Sequence, residues 1–311
     1  MARGSDWLDK PIFFIGMPRS GTSIIQEAFC RHEALGWLSN YTAHFPSMPR
    51  LTAVHSLFGS LQGQRSQGQR LVFYNKLLPR PSESYPVWER IFGRKFLYTC
   101  LEGVIPTVNE TDLARSYIAM LLAAQGRARF CAKLTGPPRV SFLSRVFEGA
   151  TFIDIIRDPR AVVASLKVDR DRFWKSKGGE ESPFWNCEYG RPEYGLWIES
   201  GQMPAVLASL QWVHMHELTK KEVAACNARY LRVRYEDYVE SPHKILREVM
   251  SYCGLQVSER VLSWVGDVVY SSANSKFVEV LDEVEIEWIE RMARRQLDEL
   301  GYARASRRVC K

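Results

Sequence analysis

The sequence predicts an α/β fold: three layers, with helices on both faces of a central, mostly parallel sheet. Three observations predict it. Short apolar runs of strand length alternate with amphipathic stretches of helix length along the chain. Two of those runs, Ile12-Phe13-Phe14-Ile15 and Thr151-Phe152-Ile153-Asp154-Ile155-Ile156, are apolar at most positions, as strands covered on both faces must be. The first run ends at Gly16 and a turn that feeds a helix, the join on which such sheets bind ligands. With 311 residues and 46% hydrophobic content, the chain can bury a large core. A single domain over 1–311, with its core at about 11–302, is the expected organisation.

The elements follow in order. After the first strand, Ile24, Ile25, Ala28 and Phe29 recur at helical spacing, so a helix starts near Ser20. Residues 39–50 and 59–70 are polar or proline-bearing and read as loops. Pro79-Arg80-Pro81-Ser82-Glu83 reads as a rigid turn into a short helix begun at Ser84 or Pro86. Thr107 and Glu110 form a capping-box pattern ahead of a helix that stops at Gly126. Phe130-Cys131-Ala132-Lys133 reads as a buried strand ending in a lysine, followed by a helix on Val140, Leu143 and Val146. Arg157-Asp158-Pro159-Arg160 turns from the 151–156 strand into another helix. Residues 172–204 are rich in aromatics, Gly and Pro and read as a long excursion from the sheet. A helix at 206–225, a strand at 230–233, a helix capped by Ser241 and opened by Pro242, and a last helix at 284–300 complete the pattern.

Composition narrows the function. The net charge of +7 and a pI of about 9.0 suit a small polyanionic ligand. No block of five or six like charges marks a nucleic-acid partner. Seven cysteines without a CxxC pair or Cys/His cluster read as reduced thiols of a cytoplasmic protein with no metal site. No apolar stretch approaches the length of a membrane span, and the N-terminus has no signal-peptide core.

Gly16-Met17-Pro18-Arg19-Ser20-Gly21-Thr22-Ser23 carries the chemistry. Its two glycines have the spacing of a Walker A loop, so the fold is P-loop-like. Converging N–H groups and a helix N-terminus make a phosphate cradle. Thr22-Ser23 stands where that motif has Lys-Ser/Thr, and the cation is Arg19 inside the loop. Without the lysine that reaches β/γ-phosphates, the loop suits a single phosphate bearing a charged group. Lys133 and Arg157 close two further strands, so both fall at the same sheet edge. Arg157 and Ser165, eight residues apart, can close on one phosphate; Arg157 can equally pair with a neighbouring carboxylate.

Taken together, these segments resemble the sulfotransferase superfamily, which uses 3′-phosphoadenosine-5′-phosphosulfate (PAPS). Residues 18–23 are similar to its 5′-phosphosulfate loop, and residues 152–165 to its 3′-phosphate motif. Cys131-Ala132-Lys133 resembles the lysine segment of the carbohydrate and tyrosylprotein branch, and Val233-Arg234-Tyr235-Glu236-Asp237 a segment whose tyrosine lies near the nucleotide. The resemblance implies that Ser20, Gly21, Thr22 and Ser23 hold the 5′-phosphate. It implies that Arg157 and Ser165 hold the 3′-phosphate, with Tyr235 beside it or the adenine. Arg19 and Lys133 would stabilise charge on the transferring group. The acceptor it implies is a hydroxyl of a small molecule, a carbohydrate or a lipid-linked group.

One departure bears on the acceptor. The tyrosylprotein branch keeps a glutamate shortly after the first helix, where this chain has Leu38-Ser39-Asn40-Tyr41-Thr42. That argues against a tyrosine-peptide acceptor and leaves the general base to be found. Glu83, among Pro79, Pro81 and Pro86 and beside Tyr85 and Trp88, is the first candidate, in surroundings expected to raise its pKa. His44 is the second, with His55 and Glu89 in reserve. Two other readings compete. A P-loop kinase or NTPase would use Asp154 as its Walker B carboxylate; a catalytically dead fold would only bind.

Overall fold

The computed structural model describes residues 10–58, 77–168, 192–266 and 276–303. Five parallel strands form the sheet: β1 (Ile12–Gly16), β2 (Leu35–Trp37), β3 (Arg129–Thr135), β4 (Thr151–Ile156) and β5 (Arg229–Arg234), in the order β2-β3-β1-β4-β5. The chain leaves β1 toward one edge, returns, and then builds toward the other. This reversal puts the loop after β1 between the carboxyl ends of β3 and β4, where open α/β sheets bind ligands.

Helices cover both faces, as three layers require. On one face α1 (Thr22–Phe29) and the helices Pro242–Tyr252 and Glu259–Gly266 pack on Ile12, Phe14, Ile153, Ile155 and Val233. On the other, Phe13, Ala132 and Phe152 meet Val108–Gln125 and Val140–Val146. Alternate residues of β1 thus serve opposite layers, which is why the run is apolar without a break.

Several elements differ from the sequence reading. Strand β2 has three residues, too few for periodicity to show. The Gln125 side chain holds it from Trp37 N–H (3.1 Å) and to Trp37 C=O (2.9 Å). Residues 39–50 are not all loop. Asn40–His44 is helical because Ser39 and Thr42 form a reciprocal capping box, and a 3₁₀ helix, Pro49–Phe58, follows. Ser84 lies at the N-cap of Tyr85–Phe92 but makes no cap bond; its hydroxyl donates to Ser39 C=O at 3.0 Å. Ser241 likewise precedes Pro242 without a side-chain cap. The last expected helix is two, Glu283–Met292 and Arg294–Glu299, divided at Ala293. The Thr107–Glu110 capping box and the Gly126 stop are as expected. Within the aromatic excursion, Pro192–Glu199 is a helix; its residues 172–191 and the 59–70 loop lie outside the described residues.

Cys30, Cys131, Cys226 and Cys253 are free thiols, three of them buried. Cys100 is disulfide-bonded, which corrects the expectation of seven reduced cysteines and removes that support for a cytoplasmic location. Among the described residues, no helix is long and apolar enough to cross a membrane.

Candidate active site

The site grows from the loop between β1 and α1. Ser20 N–H bonds Met17 C=O at 3.2 Å and turns the chain. Arg19 takes φ +73°, a left-handed backbone that costs a non-glycine residue about 1 kcal/mol or more. Gly21 has φ +88°, and a Cβ there would stand 2.3 Å from the Tyr235 ring, so only glycine fits. No side chain caps α1, which leaves its first N–H groups to a ligand. The Ser20 hydroxyl is fully buried and has no hydrogen-bond partner among the described residues. A buried orphan hydroxyl beside uncapped helix N–H groups fits an anion in the loop.

On the β4 side, Arg157 leaves the strand end. Its guanidinium lies 4.5 Å from the Tyr235 ring centroid, and its Nη1 donates to Arg19 C=O at 3.1 Å. Trp212 Nε1 donates to Arg157 C=O at 3.1 Å and fixes the strand end from behind. Burial pulls the Arg157 pKa down, opposed by Tyr235, Glu236 and Asp158. Arg19 Nε donates to Ser165 Oγ at 2.8 Å. Arg19, Arg157, Ser165 and Tyr235 therefore form one cluster.

On the β3 side, register decides the placement. Lys133 pairs with Phe14 and Thr135 with Gly16, so both point to the α1 face. Lys133, only 4% exposed, donates to Ser23 Oγ at 2.6 Å and pairs with Glu83 Oε1 at 2.8 Å. Glu83 arrives on a segment that runs antiparallel to residues 38–40. Ser82 N–H bonds Leu38 C=O at 2.9 Å, Asn40 N–H bonds Arg80 C=O at 3.0 Å, and Ser39 bridges to Pro81. Trp88 Nε1 holds Glu83 C=O at 3.0 Å.

The pKa of Glu83 runs opposite to expectation. Burial alone would raise it, but the Lys133 ammonium and hydrogen bonds from Lys133, Tyr85 and Thr135 hold it down at about 2. The apolar wall foreseen from Tyr85 and Trp88 is in fact a set of donors. Thr135 and the Tyr85 hydroxyl were missed as site residues. Thr135 was legible in principle, two residues past Lys133 on the same strand face.

The other candidates fall elsewhere. His44 is exposed at the end of its short helix, its Nδ1 2.6 Å from Asn40 C=O. His55 stacks on Trp37 at 4.5 Å, and burial, with Arg127 nearby, drives its pKa down to about 4. Glu89 is exposed. Asp154, the Walker B candidate, is bound to Tyr230 OH at 2.5 Å and to Arg232 at 3.4 Å.

A strand-loop-helix cradle flanked by an Arg/Ser cluster and a Lys/Glu pair makes a candidate anion site at the carboxyl edge of a parallel sheet in a three-layer α/β fold. The chain belongs to the sulfotransferase family, whose model matches residues 11–259. It is 23% identical over 168 residues to mouse (Mus musculus) carbohydrate sulfotransferase 3, covering 52% of this chain and 30% of that one. It is 22% identical over 290 residues to rat (Rattus norvegicus) carbohydrate sulfotransferase 1, covering 82% of this chain and 66% of that one. The chain thus spans two thirds or less of these relatives. Its fold is similar to that of sulfotransferase STF9 from Mycobacterium avium, with a TM-score of 0.59 at 15% identity over 94% of this chain and 77% of that one. Family membership sets aside the kinase reading, in agreement with the engaged Asp154.

Proposed function

We propose that this enzyme transfers a sulfuryl group from PAPS to a hydroxyl of a carbohydrate, or of another small or lipid-linked acceptor. One observation carries the reading: the half-buried chain Ser23–Lys133–Glu83 joins the phosphate loop to a carboxylate. A loop built only to bind phosphate needs no such carboxylate. The carbohydrate acceptor is favoured by the names of the relatives.

PAPS, when bound, supplies the sulfuryl group on a phosphosulfate anhydride. The N–H groups at the start of α1, with Ser20, Thr22 and Ser23, would hold its 5′-phosphate. Arg157, Ser165 and Arg19 would hold its 3′-phosphate by charge-assisted bonds, with Tyr235 against the Arg157 guanidinium. Lys133, held on Ser23, would supply positive charge to stabilise the phosphate oxygen that leaves. Glu83 takes the proton of the acceptor hydroxyl. At a pKa of about 2 it is ionised but weakly basic. Lys133 already touches both Ser23 and Glu83, so negative charge at the loop would share the ammonium and leave Glu83 a stronger base. His44 remains the second candidate for this role.

The test has two arms. Adenosine 3′,5′-bisphosphate should raise the melting temperature, and ATP with Mg²⁺ should not. Glu83→Gln should lower kcat for sulfuryl transfer from PAPS on the order of a hundredfold while nucleotide binding is kept. A wild-type rate in Glu83→Gln with a fall in His44→Asn would transfer the role to His44.

A further inference from the structure

Glu83 shows its two carboxylate oxygens to different neighbours. Oε1 lies 2.8 Å from Lys133 Nζ. Oε2 accepts from the Tyr85 hydroxyl, from Thr135 N–H at 3.2 Å and from the Thr135 hydroxyl at 2.8 Å. A carboxylate oxygen has roughly two lone-pair directions, so three donors fill Oε2 while Oε1 keeps one open. The donors come from separate elements. Tyr85 opens the helix two residues after Glu83, and Thr135 ends β3 two residues after Lys133. Because Thr135 and Lys133 share one strand face, the donors to Oε2 and Oε1 are spaced by the backbone. Although Tyr85 is 37% exposed, its hydroxyl turns inward, 3.3 Å from the Thr135 hydroxyl.

We infer that Tyr85 and Thr135 are positioning residues for sulfuryl transfer: by filling Oε2 of Glu83 they turn Oε1 toward Lys133 and the acceptor hydroxyl. The inference rests on Glu83 being the base. It makes the carboxylate one-sided, so that a single oxygen meets both the cation and the proton. Without the two hydroxyls the carboxyl group can rotate, and its charged form loses donors.

The experiment uses the full chain with PAPS, N-acetylglucosamine as a carbohydrate probe, and water as acceptor in parallel reactions. Release of adenosine 3′,5′-bisphosphate is followed against pH. Tyr85→Phe and Thr135→Val should each lower kcat about tenfold, with little change in the Kd for adenosine 3′,5′-bisphosphate. The acid limb of the rate profile should move up by about one pH unit, since a tenfold loss of stabilisation of the carboxylate is one pKa unit. Thr135→Ser keeps the hydroxyl and should keep the wild-type rate and limb, which separates positioning from loss of fold. Wild-type rates and limbs in Tyr85→Phe and Thr135→Val, with Glu83→Gln inactive, would overturn the positioning role and leave the base in place. A wild-type rate in Glu83→Gln would overturn both.

Discussion

Replacing Glu83 by glutamine tests the Lys133–Glu83 pair through stability, without any acceptor. The folded pKa of Glu83 is about 2, against an ordinary value of 4.5. Each unit is worth about 1.4 kcal/mol, so the ionised group contributes about 3 kcal/mol at neutral pH. Its side chain is 13% exposed, so solvent screening takes little from that figure. The folded pKa is depressed, so the contribution is present above the unfolded value and is lost as pH falls through the folded one. Between pH 5 and pH 3 about 2 kcal/mol should go, and the rest below that. Urea unfolding of wild type and Glu83→Gln at pH 7, 5 and 3 measures this. The variant should be less stable by about 3 kcal/mol at pH 7, and the gap should narrow to about 1 kcal/mol at pH 3. Charge removal also leaves Lys133 buried beside Ser23 alone, which acts in the same direction at neutral pH. A gap that stays constant from pH 7 to pH 3 would refute the argument, because the loss would then be one of packing and not of ionisation.

Three further outcomes follow from the geometry. Arg157→Ala should weaken adenosine 3′,5′-bisphosphate about tenfold or more and leave adenosine 5′-phosphosulfate, which has no 3′-phosphate, nearly unchanged; calorimetry with both ligands checks it. Lys133→Ala should lower kcat with a modest change in nucleotide Kd, the signature of an interaction that strengthens in the transition state, read from steady-state kinetics beside equilibrium binding. Gly21→Ala should destabilise the fold by roughly 1–3 kcal/mol in urea unfolding, because the new Cβ meets the Tyr235 ring in a left-handed backbone.

The parts of this fold that were legible in the sequence are those fixed by local chemistry. Apolar runs as long as β1 and β4 have one environment in which they are stable, the middle of a covered sheet. The Thr107–Glu110 cap is a contact three residues long and can be read directly. What escaped was set by pairing across the chain. Strand β2 exists because Gln125, from a helix 88 residues on, satisfies both backbone groups of Trp37. Glu83 shows the same limit in electrostatics. Its candidacy is legible from its place between the first helix and the Phe130 strand, but its pKa depends on Lys133 and Thr135, some 50 residues away. Neighbours in sequence suggested an apolar wall, while neighbours in space are a cation and three hydrogen-bond donors.

The departure from the Walker pattern has a structural reading. A lysine following the second glycine would sit on the first turn of α1, with its ammonium free to sweep over a triphosphate. Here the equivalent positions are Thr22 and Ser23, and the ammonium comes instead from β3, opposite Phe14. A strand in the middle of a sheet moves less than a helix terminus, so this cation is delivered to one point, Ser23 Oγ. Placing the lysine on β3 also brings it within 2.8 Å of Glu83, a partner that the Walker position does not offer here. The loop's cation is thus coupled to a carboxylate, and under the proposed mechanism the two together would supply what moving a sulfuryl group to a hydroxyl requires: charge at the leaving oxygen and a place for the proton.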